Sequence, residues 1–156
     1  MAFALSLHTA SELSPEELFT RSLSIDAHLA SMSKSEETAI AGTTSGSIQF
    51  GETVTWRARH FGIWWTMTSK ITELDAPKKF VDQQHRGPFK SFRHEHSFES
   101  TPAGSLMTDL IEVTAPLGPL GLLAEKLFLK SYLKRLIEER NQFLLSSPPQ
   151  ASGSCP

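Results

Sequence analysis

A chain of 156 residues, 39% hydrophobic and 21% charged, is long enough for one domain with a true core, and its composition is neither that of a disordered segment nor that of a membrane protein. A formal charge of −2 provides no surface-wide field to gather nucleic acid or anionic lipid. The single cysteine, Cys155, excludes an intrachain disulfide.

The N-terminal stretch Met1-Ala2-Phe3-Ala4-Leu5 lacks the basic start and small-residue cleavage site of a secretory signal. No apolar run near either end is long enough to span a bilayer. A cytoplasmic protein is therefore expected, with neither a nucleic-acid partner nor a stable membrane anchor.

Phe3 to Thr9 alternates apolar and polar residues and predicts a short first strand. Ser14-Pro15-Glu16-Glu17 is a helix start, with Ser14 as cap, Pro15 at the first helical position and Glu17 three residues after the cap. A second short helix is predicted from Ile25 to Met32. The glycine-, serine- and threonine-rich stretch from Ser33 to Glu52 predicts one edge strand with hairpin connections. Strands follow at about 53–61, 64–74, 79–86, 89–100 and 105–114. Asp75-Ala76-Pro77 and Thr101-Pro102-Ala103-Gly104 read as hairpin turns. His60-Phe61-Gly62 and Arg86-Gly87-Pro88 read as bulges or bends. A long helix is predicted from Pro119 to Leu145, with Leu120, Leu123, Leu127, Leu133, Ile137 and Leu144 as its apolar side. The domain is thus expected over 1–145, followed by a disordered tail over 146–156 with nothing to bury. The fold class is α+β: a strongly curved antiparallel sheet wrapped around a long C-terminal helix, with two short helices after the first strand.

Strand side chains alternate between faces, so parity selects candidate site residues. Phe92, His94, His96 and Phe98 share one face, and Arg93, Glu95 and Ser97 the other. Val54, Trp56, Ala58 and His60 share a face of an earlier strand. In the last strand Met107, Asp109, Ile111 and Val113 face inward, so that Asp109 is an acid among apolar neighbours. Neighbouring strands lie about 4.8 Å apart, within reach for His96 and Asp109 across a hairpin pair.

Three readings of these polar residues stand side by side. The acid and a histidine satisfy each other in the core, as buried polar groups must. Alternatively His60, His96 and Asp109 line a cavity and orient a polar ligand group. In the third, His96 and Asp109 work as a general acid/base pair. His94-x-His96 lacks the ligand spacing of a dedicated zinc site, and neither a metal nor a cofactor is expected. At most one of Trp64 and Trp65 faces a cavity. Arg57, Arg59 and Arg93 fall on the opposite face, with Glu95, Glu99 or Asp82 as partners. No nucleophile elbow, phosphate loop or dinucleotide fingerprint is present.

The order of elements resembles that of the START-like or helix-grip superfamily (SRPBCC), also called the polyketide cyclase/dehydrase and lipid-transport superfamily. Local strings resemble a bacterial subgroup of small single domains. They are Ser24-Ile25-Asp26-Ala27-His28, Trp56 to Ile63, Gly87-Pro88-Phe89 with His94-Glu95-His96, and Met107-Thr108-Asp109 before Pro116-Leu117-Gly118. The resemblance covers about residues 3–145. Gly42 to Gly46 does not match the glycine-rich hairpin of the plant hormone-binding branch. The resemblance implies a cavity between the curved sheet and the C-terminal helix that binds a lipid, polyketide or similar lipophile. It also implies an alternative, a cyclase or dehydratase acting there. The expected apolar contacts are Trp56, Phe92, Phe98, Met107, Leu123 and Leu127, and the expected polar ones are His60, His94, His96 and Asp109.

Overall fold

The computed structural model describes residues 2–115 and 122–146, with side chains for all of these except 122–126. Strand β1 (Ala2–Ser11) is followed by α1 (Pro15–Ser22), α2 (Ile25–Ser31) and a single 3₁₀ turn at Ser33–Ser35. Six more strands follow: β2 (Thr38–Gly42), β3 (Thr53–His60), β4 (Ile63–Asp75), β5 (Lys79–Arg86), β6 (Ser91–Thr101) and β7 (Gly104–Thr114). Helix α3 (Leu122–Ser146) closes the described chain. The predicted start of that helix at Pro119 lies outside the described residues, as does the predicted tail over 146–156 apart from Ser146, which is the last residue of α3. No helix among the described residues is long and apolar enough to cross a membrane.

All strands join one antiparallel sheet in the order β1-β7-β6-β5-β4-β3-β2, curved but not closed. Consecutive hairpins build it from β2 to β7, and β1 returns to the far edge beside β7. The register of the last hairpin follows from its turn. Thr101 pairs with Gly104, which brings His94 opposite Ile111 and His96 opposite Asp109. Strand β7 buries every second residue from Ser105 to Val113 and β6 from Phe92 to Phe98, so the hairpin turns one face inward over that stretch.

Two local expectations need correction. His60-Phe61-Gly62 is no bulge. His60 pairs with Ile63, leaving a two-residue turn with Phe61 at φ 53° and Gly62 at φ 74°. Two left-handed residues in succession are the type I′ hairpin, whose twist suits the flanking strands. The strand predicted from residue 89 begins at Ser91 instead. Pro88 has no N–H for a ladder, and the Gln84 side chain brackets Phe89, donating to its carbonyl at 2.8 Å and accepting from its N–H at 3.2 Å.

Helix α1 starts where the sequence places it. Ser14 caps it by accepting from the Glu17 N–H at 3.2 Å, and Pro15 occupies the first turn. Its buried Leu18 and Phe19 dock on the sheet, the Phe19 ring meeting Phe80 and Phe98 edge-on at 5.7 and 5.4 Å. Replacing Ser14 with Ala is expected to cost about 1 kcal/mol in urea unfolding through the lost cap. No measurable loss would mean that water caps this end equally well.

The core forms two apolar clusters. One joins α1, the start of α2 and Leu144 of α3 to Trp56, Phe80, Phe98 and Met107. The other joins Phe3, Leu5, Phe92, Ile111 and Val113 to Ile137 of α3. Along β6 and β7 the residues between the two clusters are His94, His96 and Asp109. The core is therefore divided by a buried polar group.

Candidate functional site

A cavity of about 440 Å³ lies between the inner face of the sheet and α3. Alternation delivers its walls. Strand β3 gives Val54, Trp56, Ala58 and His60, and β4 gives Trp65, Met67, Ser69 and Ile71. Strand β6 contributes Phe92, His94 and His96, and β5 contributes Phe80 and Asp82. Helix α3 presents Leu129, Leu133, Leu136, Ile137 and Arg140, one face at helical spacing. Most of this lining is apolar.

One part of the wall is not. His94 Nε2 donates to Asp109 Oδ1 at 2.7 Å, and His96 Nε2 donates to Asp82 Oδ2 at 2.9 Å. The two imidazoles lie against each other, ring centroids 3.7 Å apart. His96 Nδ1 is 3.0 Å from Asp109 Oδ1 but lacks the alignment of a hydrogen bond, and His94 Nδ1 is 3.9 Å from Asp82 Oδ2. Helix α3 completes the group. Asn141 Nδ2 donates to Asp109 Oδ2 at 2.7 Å, and Arg140 Nη1 stands 3.7 Å from Asp109 Oδ1. Phe80 stacks on His96 at 4.2 Å.

Asp109 is completely buried, as is nearly all of both imidazoles, while Asp82 keeps about a fifth of its side chain accessible to the cavity. Burial opposes ionisation of Asp109, but the hydrogen bond from His94 and the pull of the neighbouring His96 imidazole outweigh it and hold its carboxyl well below the usual range. Asp82 is balanced the same way. Burial raises it, and the His96 hydrogen bond with the charges of His94, His96 and Arg140 brings it below its ordinary value. His94 moves down, chiefly through burial and then through the charge of His96, against the pull of Asp109 and Asp82. His94 is therefore a neutral donor to an ionised acid.

A second polar pair joins α3 to the sheet. His60 Nδ1 and the Tyr132 hydroxyl share a hydrogen bond at 2.6 Å, beside the exposed Phe61 and Phe128. Burial lowers the His60 pKa against the opposing charge of Glu37, and it raises that of Tyr132. The His28 ring of α2 lies tilted against Trp56 at 4.3 Å, with Nε2 3.5 Å from Glu37.

Of the residues singled out from sequence, Trp56, His60, Phe92, His94 and His96 line the cavity. Phe98 and Met107 are packed into the first apolar cluster instead, beneath α1. Asp109 lies behind the imidazoles, in contact with them and not with the cavity. Leu127 is 62% exposed and does not line it. Six residues separate Leu127 from Leu133, which at 3.6 residues per turn is about 240° around the helix. Leu129 takes the inward position. The Leu123 side chain lies outside the described ones.

Asp82, assigned to the outer face as a partner for arginine, is on the inner face beside His94. Outside, Arg93 donates to Glu95 at 2.8 Å, Glu112 at 3.3 Å and Glu73 at 3.4 Å. Of the tryptophan pair, Trp65 meets the cavity, and Trp64 lies under the Arg57 guanidinium at 4.5 Å. Sequence reasoning missed Asp82, Arg140, Asn141 and Tyr132. A signal existed for two of them, since Arg140 and Asn141 interrupt the inward stripe of Ile137 and Leu144 with polar side chains.

The chain has the helix-grip fold. Among solved structures it is similar to an aromatase/cyclase, Zhui, from Streptomyces sp. R1128, with TM-score 0.72 and 12% identity over 93% of this chain and 92% of that one. It is also similar to TTHA0849 from Thermus thermophilus, with TM-score 0.70 and 14% identity over 94% of this chain and all of that one. For Ara h 8.0201 the TM-score is 0.66 and the identity 13%, again over 94% of this chain and all of that one. No family model and no curated protein matches the sequence.

Proposed function

We propose that the protein binds a mostly apolar small molecule between sheet and α3, with a polar end of the ligand set against Asp82, His94, His96 and Arg140. The observation that carries this is a mostly apolar cavity of about 440 Å³ with Asp82, His94 and His96 clustered on one part of its wall. A ligand site has that design, apolar lining for affinity and a few placed polar groups for orientation. Burial of apolar ligand surface contributes about 25 cal/mol per Å². Lipids and polyketides are the chemical class that fits.

Native mass spectrometry of gently purified full-length protein, and titration with a fluorescent lipophile, test the reading. Ala58→Trp is the informative variant. Ala58 is buried on the cavity wall, and an indole there takes up the space a ligand needs. It is expected to weaken lipophile uptake at least tenfold, about 1.4 kcal/mol, with the fold retained. Uptake unchanged in a folded Ala58→Trp protein, or no lipophile co-purified or taken up by the parent chain, would refute the proposal.

A cyclase or dehydratase is the second reading, favoured by His96 lying at the cavity with a carboxylate at each ring nitrogen. The aromatase/cyclase of like fold supports considering it. In that case His96→Ala retains lipophile uptake and loses turnover, whereas binding alone predicts that uptake falls.

A further inference from the structure

We propose that Asp82, His94 and His96 form a binding site for one divalent first-row transition-metal ion, of which zinc(II) is the representative. The proposal does not depend on the cavity holding a lipophile.

The donor atoms are already gathered. One ligand atom from each residue lies within 4.8 Å of the others. Asp82 Oδ2 is 2.9 Å from His96 Nε2 and 3.9 Å from His94 Nδ1. Metal–ligand bonds of about 2.0–2.2 Å place neighbouring ligand atoms roughly 3–3.5 Å apart, so side-chain adjustments alone bring these three to coordinating distance. Two imidazoles and one carboxylate are a set that suits zinc and other first-row divalent ions, and three protein ligands leave an open position. All three residues line the cavity. The open position therefore faces the space where a ligand or water would stand.

What separates this from two ion pairs is the outer arrangement. A metal-bound imidazole almost always donates its other ring N–H to a carboxylate or carbonyl, which fixes its tautomer and orientation. His94 does so already. Its Nδ1 points toward Asp82, and its Nε2 donates to Asp109 at 2.7 Å. His96 is the mirror case. Its Nε2 points to Asp82, and its Nδ1, a buried atom with no aligned hydrogen bond, is 3.0 Å from the same Asp109 oxygen. A metal at Nε2 displaces the proton shared with Asp82 and puts the ring proton on Nδ1, facing Asp109. One carboxylate then orients both ligands. Asp109 is held in turn by Asn141 at 2.7 Å. The unsatisfied Nδ1 is the atom that a dry Asp–His pairing leaves unexplained.

The test is titration of the chelator-stripped full-length protein with cobalt(II), followed by its visible d–d absorption, and with zinc(II) by equilibrium dialysis. One saturable equivalent is expected, with cobalt displaced by zinc. Asp82→Asn and His96→Gln are each expected to weaken binding at least tenfold, with folding checked by near-ultraviolet circular dichroism. If His96→Gln does not fold, Asp82→Asn decides, because Asp82 opens on the cavity and is not part of the tightly packed core. No saturable binding by the parent chain would overturn the site. So would binding that survives Asp82→Asn in a folded protein, since the ion then sits elsewhere, for example at His28 and Glu37 or at Cys155.

Discussion

Asp109→Ala is expected to destabilise the protein by about 3–5 kcal/mol, the cost of removing one partner from a buried ionic group and leaving the others uncompensated. Asp109 is fully buried and receives hydrogen bonds from His94 and Asn141, with Arg140 3.7 Å away. Its loss leaves the His94 imidazole and the Asn141 amide without their acceptor and the buried Arg140 guanidinium without its facing charge, at the point where the two apolar clusters meet. For a domain of this size the loss lowers the melting midpoint by roughly 10 °C. Glu112→Ala supplies the comparison on the same strand. Glu112 is exposed and pairs with Arg93 at 3.3 Å, so its removal is expected to cost less than about 1 kcal/mol. Denaturant unfolding of the two variants, metal-free, measures both. Equal losses in the two would show that Asp109 is no more than a tolerated polar residue.

The second large effect is sensitivity to acid. The folded chain holds His94 and His60 below their ordinary value near 6.5, so between the folded and unfolded values the unfolded chain binds more protons. The stability that follows is fully present above about pH 6.5 and is lost as pH falls through the lowered folded values. Asp82 and Asp109, also lowered, add a deeper loss that begins below about pH 4. The melting midpoint, followed with chelator present, is thus expected to be level near pH 7–8, to decline from about pH 6.5 and to fall again near pH 4. A His94→Gln variant, which has no proton to exchange there, should lose part of the upper decline. A midpoint constant from pH 7 to 5 in the parent chain would contradict the neutral buried imidazole.

The fold was legible because this chain makes its sheet from consecutive hairpins. The turn at Thr101–Gly104 fixes the register of β6 against β7, and strict alternation on both strands then puts His96 opposite Asp109. Neither deduction needs tertiary information. Asp82 was illegible for a physical reason. Phe80 and Val81 are both buried, so the strand shows no alternation at its start, and β4 pairs with β5 through register shifts near Ser69 and Ile71. The phase of α3 was blurred by apolar residues on nearly every side, Leu127, Phe128 and Leu129 in a row, of which Leu127 and Phe128 are exposed and Leu129 turns inward. Distances between side chains from elements far apart in sequence, such as Thr9 and Asn141, leave no local mark at all.

Phe61 stands in a left-handed backbone conformation where glycine or asparagine would be at ease, at a cost of about 1–2 kcal/mol for a bulky side chain. Its ring meets Phe128 at 5.1 Å and Tyr132 at 4.6 Å, and aromatic pairs of this kind return about 0.5–1.5 kcal/mol each. The hairpin tip is therefore sprung against the helix like a catch. The strain at Phe61 is thus offset only while α3 holds Phe128 and Tyr132 against the turn.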